Sequence, residues 1–423
     1  MVFAWGAFSA RLERADLTGP IAFVGVGMLI AAVAPLGSNA ETEAITVLTE
    51  ATLVWVLFSD AARVGVRELR NDAGVFVRLL GLALPLTVVA GSVGAWWILD
   101  TPAPWLALLV GAALAPTDAA LGAVVITHPA VPMRIRRLLN VESGLNDGIV
   151  TPIVLLALAG AASAAGHSGP GVFGALLQLA GGAAIGAAVG GAGGALLRVA
   201  GARGWVQENF AGPAVLALSL LAYAAALAVH GNGFVAAFAG GLAFGHLAGE
   251  RGPREVFYVE QTAGLASLLV WTLFGAVAVP LLYGHLNGWM VLYAALSLTV
   301  VRMLPVALGL IGTRLGRPTV IFIGWFGPRG LASVIFALLA VEELGAGADA
   351  AVGVIVLTVL LSVVTHGFTA GPLARRYGAR VGPEAEETGA KETGELTPTA
   401  RLAWSAPATG RRWQGLNPGR RPR

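Results

Sequence analysis

Long apolar segments alternate with short polar connections along most of this chain. A bilayer with a hydrocarbon core of about 30 Å requires roughly 20 apolar residues in each helix that crosses it. By that criterion we predict an all-α polytopic membrane protein with about twelve transmembrane helices. The predicted spans are residues 20–36, 43–59, 74–99, 104–127, 138–163, 171–200, 210–229, 232–248, 261–283, 287–312, 318–342 and 349–374.

Among the connections between these spans, arginine occurs only in every second one, and the intervening connections contain neither Lys nor Arg. An error in the number of spans would break this alternation, so it supports the count. The positive-inside rule then places both termini in the cytoplasm, in a prokaryotic-type inner membrane. The arginines concerned are Arg63, Arg67, Arg70, Arg134, Arg136, Arg137, Arg203, Arg251, Arg254, Arg314 and Arg317.

The composition excludes several classes of protein. Hydrophobic residues make up 56% of the chain and charged residues 12%, whereas soluble proteins carry about 25% charged residues. Cysteine is absent, which excludes disulfides and thiolate metal sites. The net charge of +3 does not indicate nucleic-acid binding, because the arginines lie in short connections between spans. No cleavable signal peptide is expected, because Arg11 and Arg14 follow only a short apolar start.

The apolar pattern ends near residue 375, which divides the chain into two predicted parts. Residues 1–375 are predicted to form the transmembrane domain. Residues 376–423 contain a stretch rich in Glu, Thr, Gly and Pro and then a basic end. Such a segment has few apolar side chains to bury, so we expect a disordered cytoplasmic tail. A regulatory role for this tail is left open, and a passive one is favoured.

The fifth span contains two carboxylates in the run Glu142-Ser143-Gly144-Leu145-Asn146-Asp147. An acidic group within a membrane helix costs about 2.5–3.5 kcal/mol on insertion scales and usually marks an ion or proton path. Residues four apart share a helix face, so Ser143 lies beside Asp147, and Glu142 lies beside Asn146. Asp147 is therefore a candidate for binding either a cation or a proton. The alternative, a capping arrangement outside the membrane, is disfavoured by the apolar runs on both sides.

The fourth span is interrupted by Pro116, followed by Thr117 and Asp118. Proline removes a backbone donor and breaks a helix, and non-helical backbone within a membrane must line a cavity or be buried in protein. The freed carbonyl groups and the Thr117 hydroxyl are candidate cation ligands. Asp118 is placed to offset the dipole of the second half-helix. A purely structural cap by Thr117 and Asp118 is an equally good interpretation.

Two arginines lie within the tenth and eleventh predicted spans. Arg302 is predicted to pair with Glu142, since a buried charge needs a partner; the alternative is a side chain that reaches the cytoplasmic surface. Arg329 lies in the run Gly327-Pro328-Arg329-Gly330, which cannot remain helical. Two broken spans in corresponding positions of two halves indicate an inverted-repeat transporter with a site at the membrane midplane. The related units would be spans 3–5 and 10–12.

Together these motifs resemble the monovalent cation:proton antiporters of the NhaP/NHE type. The resemblance covers about residues 20–375. It rests on Ala115-Pro116-Thr117-Asp118, on Glu142-Ser143-Gly144-Leu145-Asn146-Asp147, on Arg302 and on Gly327-Pro328-Arg329-Gly330, in that order. Ala119 departs from the family pattern, in which many members have proline.

The resemblance implies a homodimer with a dimerisation domain and a six-helix core that moves as an elevator. It implies that Asp147 is the cation and proton site, that Thr117 and Ser143 are further ligands of Na⁺, and that Asn146 and Asp118 support the site. Glu142 would pair with Arg302. Family members with Asn-Asp at positions 146 and 147, rather than Asp-Asp, are generally electroneutral.

We therefore expect a secondary transporter, not an enzyme, that exchanges Na⁺, with Li⁺ as a further candidate, for H⁺ with a ratio of one to one. Its expected partners are the transported ions, the lipid bilayer and a second copy of the chain, without nucleic acid or cofactor.

Exchange of K⁺ by the same fold is the nearest alternative, followed by a gated cation channel. A sensor that retains the fold is not excluded. An intramembrane hydrolase based on Ser143 is disfavoured, since no His or Lys lies near it in the span. His246 and His366 are weaker candidates, as pH-sensing groups.

Overall fold

The computed structural model describes residues 1–13, 17–33, 39–64, 72–99, 103–166, 171–249, 252–282 and 286–381. Within these ranges the regular elements are helices, and no strand occurs. The α-helices are α1 (Val2–Glu13), α2 (Gly19–Val33), α3 (Asn39–Ala62), α4 (Ala73–Arg78), α5 (Leu84–Ile98), α6 (Pro104–Ala113), α7 (Ala123–Thr127), α8 (Met133–Ala164), α9 (Gly171–Ala202), α10 (Glu208–Ala228), α11 (Gly233–Leu247), α12 (Gly252–Leu273), α13 (Gly288–Leu298), α14 (Val300–Gly309), α15 (Arg317–Trp325), α16 (Leu331–Leu344) and α17 (Asp349–Val381).

Each predicted span coincides with one helix or with successive helices of the structure. In the described part of the chain, eight helical segments are long and apolar enough to cross a bilayer. Three shorter apolar helices, α2, α6 and α11, accompany them. The structure thus confirms an all-helical, multi-pass membrane fold, and the number of twelve crossings stays a prediction. The eight segments are 45–62, 73–98, 133–164, 171–202, 208–228, 252–278, 288–309 and 349–381.

The last helix ends later than the predicted domain boundary after residue 375, since α17 continues to Val381. Contacts with α15 explain this difference. The Tyr377 ring stacks on Phe322 with 4.0 Å between ring centroids, and its hydroxyl lies 2.9 Å from Thr319 Oγ1. Residues 382–423, the rest of the predicted tail, lie outside the described residues.

Helices α9 and α11 are packed backbone to backbone along a row of glycines. Gly182, Gly186 and Gly190 of α9 face α11, where an added Cβ would lie 2.2, 2.1 and 2.1 Å from the carbonyl oxygens of successive turns. Small residues at four-residue spacing permit this close approach in membrane helices. On its other side, α11 approaches α3 in the same way. A Cβ at Gly241 or Gly245 would lie 2.3 Å from a carbonyl oxygen of α3. These three helices form what we call the α3–α9–α11 layer.

Two non-helical stretches cross beside α8. The first joins α6 to α7 and contains Pro116, and the second joins α15 to α16 and contains Pro328. Proline at these positions removes a backbone donor and restricts the preceding residue, so neither helix continues. The stretches contact each other directly, because the Asp118 N–H donates to the Pro328 carbonyl at 2.8 Å. Both predicted interruptions are therefore present, and they meet at one place.

A third break, which the sequence did not predict, separates α13 from α14 at Thr299, whose backbone has φ −112° and ψ −91°. The Thr299 hydroxyl donates to the Ala295 carbonyl at 2.7 Å. Back-bonding of this kind often bends helices. The second piece, α14, carries Arg302 in its first turn.

Candidate functional site

Asp118 accepts hydrogen bonds from backbone N–H groups of both broken spans. Its Oδ1 accepts hydrogen bonds from the N–H groups of Ala120 at 2.6 Å and Leu121 at 3.3 Å. Its Oδ2 accepts one from the N–H of Leu331, the first residue of α16, at 2.9 Å. Unbonded N–H groups at a helix start carry a partial positive charge that an anion stabilises. Asp118 thus supplies negative charge to the second broken helix, as well as to the turn that follows it in its own span.

Arg329 supplies the opposite charge to the first broken helix. Its Nη1 donates to the carbonyl oxygens of Ala115 at 2.9 Å and Pro116 at 3.3 Å. The side chain is completely buried, and its backbone N–H donates to Ser362 Oγ at 2.7 Å. Carbonyl groups at a helix end carry partial negative charge, which a cation stabilises. The freed carbonyls that the sequence suggested as cation ligands are therefore bonded to a guanidinium.

Three polar side chains form a buried network beside the crossing. Asn146 Nδ2 donates to Thr117 Oγ1 at 2.7 Å, and Thr117 Oγ1 lies 2.9 Å from Ser143 Oγ. Asn146 is fully buried, and its Oδ1 has no hydrogen-bond partner among the described residues. A buried acceptor without a partner costs free energy, and oxygen atoms are the ligands that hard cations prefer. The network therefore fits a bound alkali cation.

Asp147 follows Asn146 directly on α8 and is 5% exposed. It lies one helical turn after Ser143, on the same face, and its backbone carbonyl accepts a hydrogen bond from the Thr151 hydroxyl at 2.7 Å. The next residue, Gly148, lies against the ring of Phe238 on α11. The carboxylate predicted to carry the exchange is thus buried where α8 passes the α3–α9–α11 layer.

Glu142 and Arg302 form an ion pair that is almost completely buried. Arg302 Nη2 lies 2.5 Å from Glu142 Oε1. The arginine approaches the crossing through space left by Gly327, where an added Cβ would lie 2.5 Å from Arg302 Nε and 3.0 Å from Thr117 Cγ2. The pair neutralises a carboxylate that would be costly to bury alone, and it joins α14 to α8.

Two further side chains, both on α17, bond to the end of α15 and to the non-helical stretch between α15 and α16. His366 Nε2 lies 2.9 Å from the carbonyl oxygen of Trp325, the last residue of α15, and its Nδ1 lies 3.0 Å from the Ser362 carbonyl. Ser362 in turn accepts the Arg329 N–H. The sequence suggested His366 only as a pH-sensing group and did not point to Ser362. Their four-residue spacing within an apolar helix was a signal that could have linked them.

The start of α8 is anchored by a second charged cluster. Arg134 Nη2 and Arg137 Nη2 lie 2.7 and 2.9 Å from the two carboxylate oxygens of Asp72, which is buried before α4. These arginines belong to a predicted cytoplasmic connection, so part of its positive charge is neutralised within the protein. The cluster fixes the helix that carries Asn146 and Asp147.

Residues 1–376 match the family described as "Sodium/hydrogen exchanger, transmembrane". The chain belongs to this family. A curated relative, the "K(+)/H(+) antiporter NhaP" of Alkalimonas amylolytica, is 27% identical over 333 residues, covering 76% of this chain and 56% of the relative. The chain thus spans only about half the length of that relative.

Solved structures of the sodium proton antiporter MjNhaP1 from Methanocaldococcus jannaschii share the fold of this exchanger-family chain. One, determined at pH 8, has a TM-score of 0.73 at 20% identity and covers 86% of this chain and 96% of its own. A second, obtained by electron microscopy, has a TM-score of 0.63 at 21% identity and covers 94% of this chain and 100% of its own. The fold predicted from the broken spans is confirmed by this likeness.

The predicted site residues are brought together around one crossing of this exchanger-family fold. Thr117, Ser143 and Asn146 share one hydrogen-bond network. Glu142 and Arg302 form one ion pair. Asp118 and Arg329 stabilise opposite ends of the two broken helices. The role of each residue in binding an ion stays a prediction.

Proposed function

We propose that this chain is a secondary active transporter that exchanges Na⁺ for H⁺ with a ratio of one to one, and that both ions compete for the Asp147 carboxylate. The observation that carries the proposal is the buried oxygen network of Thr117, Ser143 and Asn146, with an acceptor atom left unbonded, one residue before a buried carboxylate. Membership of the sodium/hydrogen exchanger family supports the same activity.

The position of Asp147 on α8 supports it as the exchanging group. Asp147 lies on the face of α8 that carries Ser143, so a cation there would have a carboxylate and a hydroxyl as ligands. A proton on the same carboxylate removes the charge that attracts the cation, and this competition couples the two ions.

The proposal includes an elevator movement. In this proposal α4–α8 and α13–α17 form the moving core, and the α3–α9–α11 layer belongs to the static part, through which two copies of the chain form a homodimer. Both termini would lie in the cytoplasm of an inner membrane, and no cofactor would be needed. The core crosses when Asp147 carries an ion, because an ionised, unloaded carboxylate is costly within a membrane.

Potassium is the second candidate for the cation, and the name of the curated relative favours it. Sodium is preferred here because both the family description and the solved structures of similar fold name that ion. A gated channel would pass cations without a proton gradient, so the same experiment can separate it from an exchanger.

The proposal is tested in proteoliposomes with an imposed inside-acid pH gradient and the membrane potential clamped at zero. Na⁺, Li⁺ and K⁺ are added in turn to the wild type and to Asp147→Asn. We expect collapse of the gradient on addition of cation in the wild type alone, and the order of the cations identifies the substrate. Glu343→Gln is the matched control, since it removes an exposed carboxylate at the end of α16. An unchanged response in Asp147→Asn would overturn the proposal.

A second measurement separates the one-to-one ratio from other ratios. When the potential is varied with a potassium diffusion gradient and valinomycin, electroneutral exchange of Na⁺ should keep the same rate. A rate that follows the imposed potential would show that unequal charges are exchanged.

A further inference from the structure

Phe238 of α11 lies directly on the backbone of α8 beside the proposed exchange site. An added Cβ at Gly148 would lie 2.0 Å from both Cδ2 and Cε2 of the Phe238 ring and 2.5 Å from its Cγ. The ring therefore occupies the space that a side chain at position 148 would need. Gly148 is the residue after Asp147, so the ring meets α8 one residue beyond the proposed exchange site.

The same ring joins two separate hydrophobic clusters of the protein. One cluster includes Val150 and the other includes Leu145, so Asp147 lies at the boundary between them on α8. Phe238 packs against both clusters. It thus closes the apolar surface where α8 passes α11, beside the polar residues of the site.

The backbone that carries Phe238 is held in place from both sides. The turns before and after it, at Ala236 and Gly240, touch Gly186 and Gly190 of α9, and Gly241 touches α3. A ring on such a backbone can change rotamer, but the helix cannot withdraw without separating the α3–α9–α11 layer. In the elevator movement proposed above, Asp147 therefore passes this ring.

We propose that Phe238 is the sealing residue that makes exchange obligatory, an inference that rests on the exchange proposed above. A carboxylate neutralised by a proton or by a bound cation passes an apolar ring at lower cost than an ionised, unloaded one. The ring thus raises the free-energy barrier for return of the core when Asp147 carries no ion. It also excludes water from the space between α8 and α11, so protons do not leak along this path.

The decisive measurement compares coupled and uncoupled fluxes in proteoliposomes. In Phe238→Ala, collapse of an inside-acid gradient without any added cation should become faster by about fivefold or more, because the empty carboxylate now meets no apolar barrier. Exchange of labelled Na⁺ should at the same time become sensitive to membrane potential. Phe238→Leu, which keeps an apolar side chain, should remain coupled.

Phe234→Ala is the matched control. Phe234 lies one turn earlier on α11, is 7% exposed, and packs against Tyr223 of α10 with 5.5 Å between ring centroids. Phe234→Ala removes the same side-chain volume from the same helix as Phe238→Ala. It should therefore lower the stability of the protein without altering the coupling of the two ions. Equal leaks in both variants would overturn the assignment of the seal to Phe238.

A pair of substitutions keeps the inference testable if Phe238→Ala folds poorly. Gly148→Ala should reduce exchange by about tenfold or more, because its Cβ meets the ring, and Phe238→Ala in the same chain should restore flux but not coupling. Tight coupling in the double variant would overturn the inference while leaving exchange intact. Absence of sodium-dependent exchange in the wild type would overturn the proposed function and this inference together.

Discussion

Arg302 Nη2 lies 2.5 Å from Glu142 Oε1, although the two residues are 160 positions apart in the chain. Only 1% of the Arg302 side chain and 3% of the Glu142 side chain are exposed. Their charges neutralise each other without access to water. Loss of one partner leaves an uncompensated buried charge, which costs about 3–5 kcal/mol.

We accordingly expect Glu142→Gln to lower the thermal stability of the detergent-solubilised protein substantially. The matched control is Glu208→Gln, which removes one partner of the exposed Arg254–Glu208 pair at 3.2 Å. Exposed pairs contribute about 0–1 kcal/mol, so this variant should unfold close to the wild-type temperature. Equal shifts for the two variants would contradict the stabilising role of the buried pair.

Gly330→Ala should disrupt the crossing. An added Cβ would lie 2.0 Å from Asp118 Oδ2 and 2.2 Å from Asp118 Cβ, so the carboxylate could no longer accept the Leu331 N–H. We expect the variant to lose exchange. Its free energy of unfolding should fall by at least about 1 kcal/mol, which is the typical contribution of a helix cap. Gly347→Ala has open space around the new methyl group and serves as the control. Normal exchange in Gly330→Ala would show that the Asp118 bridge is dispensable.

Thr117→Ala should raise the KM for the cation by about tenfold, equivalent to about 1.4 kcal/mol. The substitution removes a candidate ligand and the acceptor of the Asn146 amide. Thr117→Ser retains the hydroxyl and should stay near the wild-type KM. Thr127→Ala removes an exposed hydroxyl that bonds only the Ala123 carbonyl, and it should change nothing. A lowered maximal rate at constant KM would assign Thr117 a structural role instead.

The pH dependence of exchange should show direct competition. As the pH falls, more Asp147 is protonated, and the protonated carboxylate no longer attracts a cation. The KM for Na⁺ should therefore rise as the pH falls, by up to about tenfold for each pH unit, while the maximal rate at saturating Na⁺ stays constant. Initial rates at several pH values test this expectation. A maximal rate that falls at constant KM would place the pH response on another group, such as His366.

Hydropathy and proline positions predicted much of this fold. The length of an apolar run is a local property, so each predicted span matched helices of the structure. The breaks at Pro116 and Pro328 were visible because proline acts on its own turn. The break at Thr299 was not visible, since threonine is compatible with a continuous helix.

The contacts that build the site depend on distant parts of the chain. The pairing of Glu142 with Arg302 was predictable because a buried charge requires an opposite one. The bonds from Arg329 to the Ala115 and Pro116 carbonyls were not predictable, because the sequence equally allows this guanidinium to pair with an acid. The contact between Phe238 and Gly148 depends on how glycines pack α11 against α9 and α3. The amino-acid composition does not show which glycines make such contacts.

The bonds between the two breaks also set an order of assembly during synthesis. Asp118 cannot accept its hydrogen bond from the N–H of Leu331 until that residue, 213 positions later in the chain, has been synthesised. At synthesis rates of about 5–20 residues per second, this interval lasts roughly 10–40 s. The first broken helix must therefore remain in the bilayer unfinished, and nascent chains that stop before α16 leave it without its counter-charge.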